Sequence, residues 1–306
     1  MAALDQTVWL GMLEEELRDP TLAKVKAAIK DDSAWVYSRG GAVTVKIPNA
    51  GSTAAVTAGN DTYPVAVTKR TNTTVDYNLT NYEKGPILIN WKDGKSAPVD
   101  EHESILRDSI EGIGIRIARD IMIAQYHNTA GLYRLTSGAD APAHATGGTG
   151  NRKSFVGADL KAALGIFDKT SVSEGERYLL ADSVMYWQLM SDMGYNSTRD
   201  DVQALSNGTT FNWLGVNIIK MPTVLFAQTG AGAARAFGNA GATTDMGVAL
   251  LIQKSCSSMA MTEIAAFVDE GNPTYFGDLY SSSVMGGGSY RRTDKYGIVP
   301  IIQTGT

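Results

Sequence analysis

Residues 100–130 read DEHESILRDSIEGIGIRIARDIMIAQYHNTA, and the apolar positions in this stretch decide how the rest of the chain is read. Leu106, Ile110, Ile113, Ile117, Ile121 and Ala124 recur at steps of four, three, four, four and three, the spacing that lines up one face of an α-helix. Asp100 followed three residues later by Glu103 resembles a capping box, with Pro98 just ahead of it. At ~1.5 Å per residue the helix would run about 45 Å, well beyond the usual three or four turns. Gly112 and Gly114 stand in its middle and cost roughly 1 kcal/mol each relative to Ala, so packing along much of its length has to hold it. Alone, the stretch fits a core helix of an α/β enzyme equally well; its flanks shift the reading.

The chain has 306 residues, enough for one large domain or two modest ones. Apolar residues make up 43% and charged residues 19%, the latter below the usual share of about a quarter. A sparse charge content suits a chain that hides surface in contacts with partners. The net charge of −5 argues against a nucleic-acid binder that works through a basic face, though it leaves weak, non-specific proximity to DNA open. A single cysteine, Cys256, excludes an intramolecular disulfide and fits a reducing compartment. The opening MAALDQTVWLGMLEEEL lacks a basic n-region and an apolar h-region, so no signal peptide is expected. No run approaches the ~18 apolar residues of a membrane span. A soluble protein made in a cytoplasm is the expectation.

Ahead of the long helix, residues 7–30 read as helical and acidic, with Val8, Met12, Leu13 and Leu17 as a partial stripe broken at Pro20 and a second short helix through Val25 and Ile29. Trp9 and Leu10 are awkward on a free tail, so this arm is expected to pack on something, a neighbouring subunit included. Residues 34–95 change to period-two alternation rich in Val, Ile, Thr and Tyr: Val43, Val45 and Ile47 share one face, and Val75, Tyr77 and Leu79 repeat the pattern. The polar stretch from Asn49 to Asn72 separates them. The expectation is a long two-stranded excursion, marginal in water by itself and therefore laid on another surface. Its Arg39, Lys46, Lys69, Arg70, Lys84, Lys92 and Lys95 outnumber Asp61, Asp76, Glu83 and Asp93, whereas Asp100, Glu101, Glu103, Asp108, Glu111 and Asp120 outnumber the arginines of the long helix. Opposite charge on two segments of one chain suggests contact between copies; ordinary solvated charge is the plainer alternative.

After the helix, residues 131–155 have linker composition, and loops of that length are usually functional or mobile. From Gly157 the pattern becomes helix (ADLKAALGIFDK), buried strand (ERYLLAD), helix (SVMYWQLMSDM) and strands (NWLGVNIIKMP, GVALLIQKS), with TGAGAARAFGNAGATT between the last two as a flexible Gly/Ala loop. The tail alternates again to the C-terminus.

Motifs for chemistry are weak throughout. Gly230 and Gly232 open something like a dinucleotide fingerprint, but Arg235 fills the third glycine position, where close approach to a pyrophosphate is needed. His102, His127 and His144 have no partners at metal-ligand spacing. Cys256 reads as a small buried hydrophobe. No G-x-S-x-G elbow is present, and the Asp200–Asp201 pair sits in a polar turn. Asn-x-Ser/Thr sequons, as at Asn72 and Asn78, mean nothing without secretion. Catalytic, cofactor-binding and metal sites are all expected to be absent.

The order of elements — acidic arm, basic two-stranded loop, long helix, glycine-rich linker, α/β domain, returning strands — resembles the major capsid proteins of tailed bacteriophages, which have the Hong Kong 97-type fold. RYLLADSVMYWQLMSD (Arg177 to Asp192) is similar to the family's axial-domain strand and helix, and YFGDLYSS…DKYGIVPIIQ to the strand that returns to the peripheral domain. The resemblance implies an α+β fold divided into an N-terminal arm (1–33), an extended loop or E-loop (34–97), a peripheral domain with spine helix and linker (98–156), an axial domain (157–265) and strands returning to the peripheral domain (266–306). It implies a structural coat subunit, not an enzyme, that assembles with itself into hexamers and pentamers of an icosahedral shell around double-stranded DNA, in the host bacterial cytoplasm. A portal and a separate scaffold or decoration protein would be partners. Lys69, Arg70 and Lys84 are the candidate inter-subunit contacts, Gly112 and Gly114 the candidate hinges, and the 229–245 loop a candidate for the capsomer centre. Some members carry a cleaved scaffolding extension of about a hundred residues; here about thirty residues precede the E-loop, so any scaffold is expected to be a separate chain or absent. Some cross-link a lysine to an asparagine; Lys69 lies in the right loop, but nothing identifies its partner. An encapsulin-like nanocompartment shell, or an α/β enzyme with an unseen site, are the competing readings.

Overall fold

The computed structural model describes residues 20–39, 42–49, 73–90, 101–145, 147–193, 210–228, 230–239 and 241–305. Four helices belong to the described part: α1 (Pro20–Ala28), α2 (Glu101–Gln125), α3 (Gly157–Lys169) and α4 (Ser183–Asp192). The N-terminal strands are β1 (Lys30–Asp31), β2 (Val36–Arg39), β3 (Ala42–Asn49), β4 (Thr73–Asn78) and β5 (Thr80–Asn90). After α2 come the short strands β6 (Arg134–Leu135), β7 (Asp140–Pro142) and β8 (Asn151–Lys153), then β9 (Arg177–Asp182) between α3 and α4. The remainder are β10 (Thr210–Trp213), β11 (Val216–Met221), β12 (Leu225–Ala227), β13 (Met246–Gln253), β14 (Ser257–Met261), β15 (Ala265–Asn272), β16 (Gly277–Tyr290) and β17 (Ile298–Ile302).

Two sheets carry the chain. A seven-stranded sheet runs β10-β11-β9-β13-β17-β6, with β12 also paired to β13. Its central strand β13 is buried at every position, so both faces must be covered. Ala249 and Leu251 point into one core with Leu160 and Phe167 of α3 and Leu189 of α4. Val248, Leu250 and Ile252 point into the other, against Leu22 and Val25 of α1 and Ile117 and Ile121 of α2. A five-stranded sheet, β1-β14-β16-β15 with β5 on the other side of β16, covers α2 from behind. Helix α2 is thus held between two sheets. That burial offsets the helix propensity lost at Gly112 and Gly114, through which α2 runs without a break.

The packing of α2 on β16 depends on missing side chains. In Met285–Tyr290 the three consecutive glycines alternate faces, as strand residues must. A Cβ at Gly286 would stand 3.3 Å from Ile117 Cγ2, and one at Gly288 3.0 Å from both Ile121 Cγ2 and the Ser258 carbonyl oxygen. Glycine therefore lets the helix lie close against the strand, and Gln125 Nε2 then donates to the carbonyls of Ser258 and Ser289 at 3.0 and 2.9 Å.

Several sequence expectations are corrected. The helix stops at Gln125, about five residues early, because Tyr126 and His127 turn their rings inward instead of continuing the stripe. Residues 34–95 are more than two strands: β2, β3 and β4 form a three-stranded sheet, while β5 leaves it to join β16. Pro20 starts α1, where its missing N–H costs nothing. Leu22, Val25 and Ile29 are fully buried in the chain's own core, so this part of the arm packs on its own subunit; residues 1–19 lie outside the described set. NWLGVNIIKMP is a hairpin, with Leu214 and Gly215 at φ +52° and +74° forming its two-residue turn. Cys256 lies in a 3₁₀ turn ahead of β14. The composition of 131–155 misleads: Arg152 is buried and donates to four carbonyls, of Thr149, Asn151, Thr243 and Asp245, which pins this segment to the seven-stranded sheet. The closing segment divides, β15 and β16 lying in the five-stranded sheet and β17 between β13 and β6.

Candidate inter-subunit surfaces

Described groups capable of chemistry have structural partners. His144 Nε2 lies 2.6 Å from Asp182 Oδ2, and the other oxygen of Asp182 accepts from Met185 N as the N-cap of α4. His127 Nε2 donates to the Ile298 carbonyl at 2.8 Å. Burial pushes the Cys256 thiol up, away from the reactive thiolate. Among the described residues no group of three His, Cys, Asp or Glu side chains converges as a metal site requires. A groove of about 450 Å³ beside α3 has Lys161, Asp168, Glu174 and Arg177 on its walls. Arg177 is committed there, pairing with Asp168 at 3.3 Å and donating to the Ser173 and Val172 carbonyls, so it holds the α3–β9 loop.

The residues singled out from sequence sit apart. Lys69 and Arg70 lie outside the described residues, as do His102's side chain and Asp200–Asp201. Lys84 is exposed on β5, opposite Ser282, at the edge of an irregularity that skips Gly85 and Pro86; a proline, a lysine and a bulge together protect a strand edge from indiscriminate pairing. Gly112 is exposed with open space where a side chain would go, and Gly114 is buried in the helix.

The sheet of β2, β3 and β4 is anchored on β14. Val45, Ile47 and Leu79 form a small core with Ala260 of β14. Tyr77 Oη lies 2.9 Å from Ser258 Oγ, and burial pushes this phenol up to about 12. Beside it, buried Asp32 faces Arg291 Nε at 3.2 Å. The acidic side of the spine helix is partly spent internally too: Asp120 accepts from Tyr82 Oη at 3.0 Å and from Arg116 Nε at 2.8 Å.

In the glycine-rich 229–244 segment, expected as a flexible spacer, the described residues 230–239 and 241–244 form a strap. Arg235 grips buried Asp245 through two bonds of 2.8 Å, and this pairing holds the Asp245 carboxyl below its ordinary range. Tyr126 Oη donates to the Gly232 carbonyl at 2.7 Å. Phe237 lies under the guanidinium groups of Arg116 and Arg119, at 4.5 and 5.0 Å. These contacts tie the loop to α2 within its own subunit.

What the surface does offer is apolar. Trp35, Trp187, Leu214, Phe267, Tyr275 and Phe276 are exposed large side chains of this single chain, the kind that anchor protein interfaces. The family described as "Phage capsid protein" matches residues 34–262. The chain belongs to the phage capsid protein family. No curated protein matches it in sequence. Its fold is similar to the capsid of Ralstonia phage GP4 (TM-score 0.63, 10% identity, 91% of this chain and 87% of that one) and to the Cyanophage Pam1 capsid asymmetric unit (0.62, 14%, 90% and 88%). It is also similar to the capsid of Helicobacter pylori bacteriophage KHP30 (0.57, 10%, 90% and 87%). At such identities the structural likeness establishes the fold, which is the mixed helix-and-strand, Hong Kong 97-type architecture anticipated from element order. As a phage capsid protein it is a structural, major capsid component of the virion.

Proposed function

We propose that this phage capsid protein assembles with itself into hexamers and pentamers of an icosahedral shell that encloses double-stranded DNA. The observation that carries the reading is the family match over residues 34–262, which takes in the three-stranded loop base, the spine helix and most of the seven-stranded sheet together. In this reading the seven-stranded sheet with α3 and α4 is the axial domain, and the five-stranded sheet with α2 is the peripheral domain. β17 then belongs with the axial domain, and β15 and β16 with the peripheral one. Lys69, Arg70 and Lys84 meet carboxylates of adjacent subunits, and Gly112 and Gly114 supply the bend that lets one sequence occupy two ring sizes. Assembly takes place in the host cytoplasm with a portal and a separate scaffold or decoration protein, and the shell's inner wall meets DNA without sequence preference.

The test is negative-stain microscopy after size exclusion, first of the protein alone and then with its neighbouring gene products. Closed shells or ring-shaped capsomers are expected. A monomer that stays monomeric under both conditions would overturn the proposal.

A further inference from the structure

The hairpin of β15 and β16 has a composition unlike the rest of the chain. Between Lys254 and Arg291 there is no lysine or arginine, while Glu263, Asp269, Glu270 and Asp278 all fall there. Among the described residues, Asp269 and Asp278 accept bonds only from their own turn, from Asn272 Nδ2 at 2.6 Å and Gly271 N at 2.7 Å. No ion pair joins any of the four carboxylates to a described cation. The same hairpin exposes aromatic surface: Phe267 is 57% exposed, Tyr275 53% and Phe276 75%. Strand register places Phe267 opposite Ser281, and Asp269 and Leu88 on either side of Leu279. Since Ser281 and Leu279 are two apart, these side chains share the sheet face turned away from the spine helix.

A second surface has the opposite deficit. Arg116 of α2 is neutralised by Asp120 at 2.8 Å. Arg119, one turn along, has no described carboxylate; burial alone acts on its guanidinium, pulling its pKa down, and its described contact is the Phe237 ring at 5.0 Å. Among the described residues, this half-buried guanidinium beside an aromatic ring has no anion. Four carboxylates, three of them on a hairpin that also exposes three aromatic rings, have no described cation. Hairpins meeting one another around a symmetry axis would bring like charges together, which is costly when the contact excludes water.

We propose that the β15–β16 hairpin of one subunit seats on the Arg119–Phe237 surface of a second copy of this chain, a head-to-tail contact between different patches. It rests on the shell-forming reading above and names one of its contacts. Carboxylates of the hairpin neutralise Arg119, and Tyr275 and Phe276 cover the ring and strap beside it.

The experiment uses the full-length chain under conditions where the parent forms shells or capsomers; failure of the parent to assemble would count against the shell reading itself. Thr274 and Ala236, both exposed, mark the two surfaces. Thr274→Cys combined with Ala236→Cys, oxidised in the assembled state, is expected to give a ladder of covalent multimers on a denaturing gel, and each single variant none. Covalent dimers from Thr274→Cys alone would show hairpins facing one another and overturn the proposal, as would absence of a ladder from the double variant. In parallel, Asp269→Lys/Glu270→Lys and Arg119→Glu are each expected to lower shell yield at least tenfold while the chain keeps its circular dichroism. Combining them in one chain is expected to restore yield to within about threefold. Parent-like yield from the single reversals, or no recovery on combining them, would overturn the contact, including the case where the hairpin instead holds a separate basic protein.

Discussion

At the scale of single residues, two positions show what sequence alone conceals. Gly288 reads as one of three interchangeable glycines, yet its missing Cβ is what admits Ile121 and leaves the Ser258 carbonyl free for Gln125. Gly288→Ala is expected to destabilise the chain by roughly 1–3 kcal/mol, as overpacking does; Gly85→Ala, where a Cβ meets nothing within 4 Å, should cost far less. Denaturant melts of the two variants check this. His127 is the second case. Burial pushes its imidazole below the ordinary 6.5, and its buried Nδ1 has no described partner to accept a second N–H. The folded chain therefore takes up this proton at lower pH than the unfolded chain does. Stability is complete above the ordinary histidine range and is lost as pH falls through that range toward the folded value. His127→Gln should flatten the melting temperature between about pH 7 and pH 5 relative to the parent; an unchanged slope would place the acid sensitivity elsewhere.

At the scale of elements, the strap links α2 to the seven-stranded sheet through Phe237 and the Arg235–Asp245 pair. Phe237→Ala removes the ring under two guanidinium groups while leaving the ion pair. Faster amide hydrogen exchange is expected in 230–245, with β9 and β13 keeping their protection, because local opening follows local contacts. If protection were lost across the whole sheet, the strap would be part of the core rather than attached to it. The same segment shows why composition misleads. Small residues in TGAGAARAFGNAGATT suggest a spacer, but two of its few large side chains find fixed partners, Arg235 at nearby Asp245 and Phe237 on α2, far away in sequence. The 131–155 stretch fails as a linker for the same reason, through Arg152.

At the scale of the whole molecule, the chain exposes large apolar side chains, which other copies would cover in the proposed shell. In the proposed shell, Lys69, Arg70 and Lys84 would each contribute under about 1 kcal/mol as an exposed ion pair, with the contact repeated in every subunit. Changing all three to Glu is expected to abolish closed shells while leaving the melting temperature of the unassembled chain within about 2 °C of the parent. Normal shells from the triple variant, seen by negative stain, would show that these cations are merely solvated.

The sequence by itself determined the order and type of the main elements. The 3.6-residue stripe of α2, the alternation of β3 and β4 and the continuous apolar run of β13 are local patterns that physics imposes on any chain burying those faces. Because capsid folds are distinguished by that order, the fold class and family were legible as well. Only the tertiary structure decided which elements meet: that β5 departs to pair with β16, that α1 packs on its own subunit, that His144 reaches Asp182 and that Phe237 sits beneath α2. Those contacts join residues far apart in the chain, and their energy comes from packing and charge pairing that no local period records.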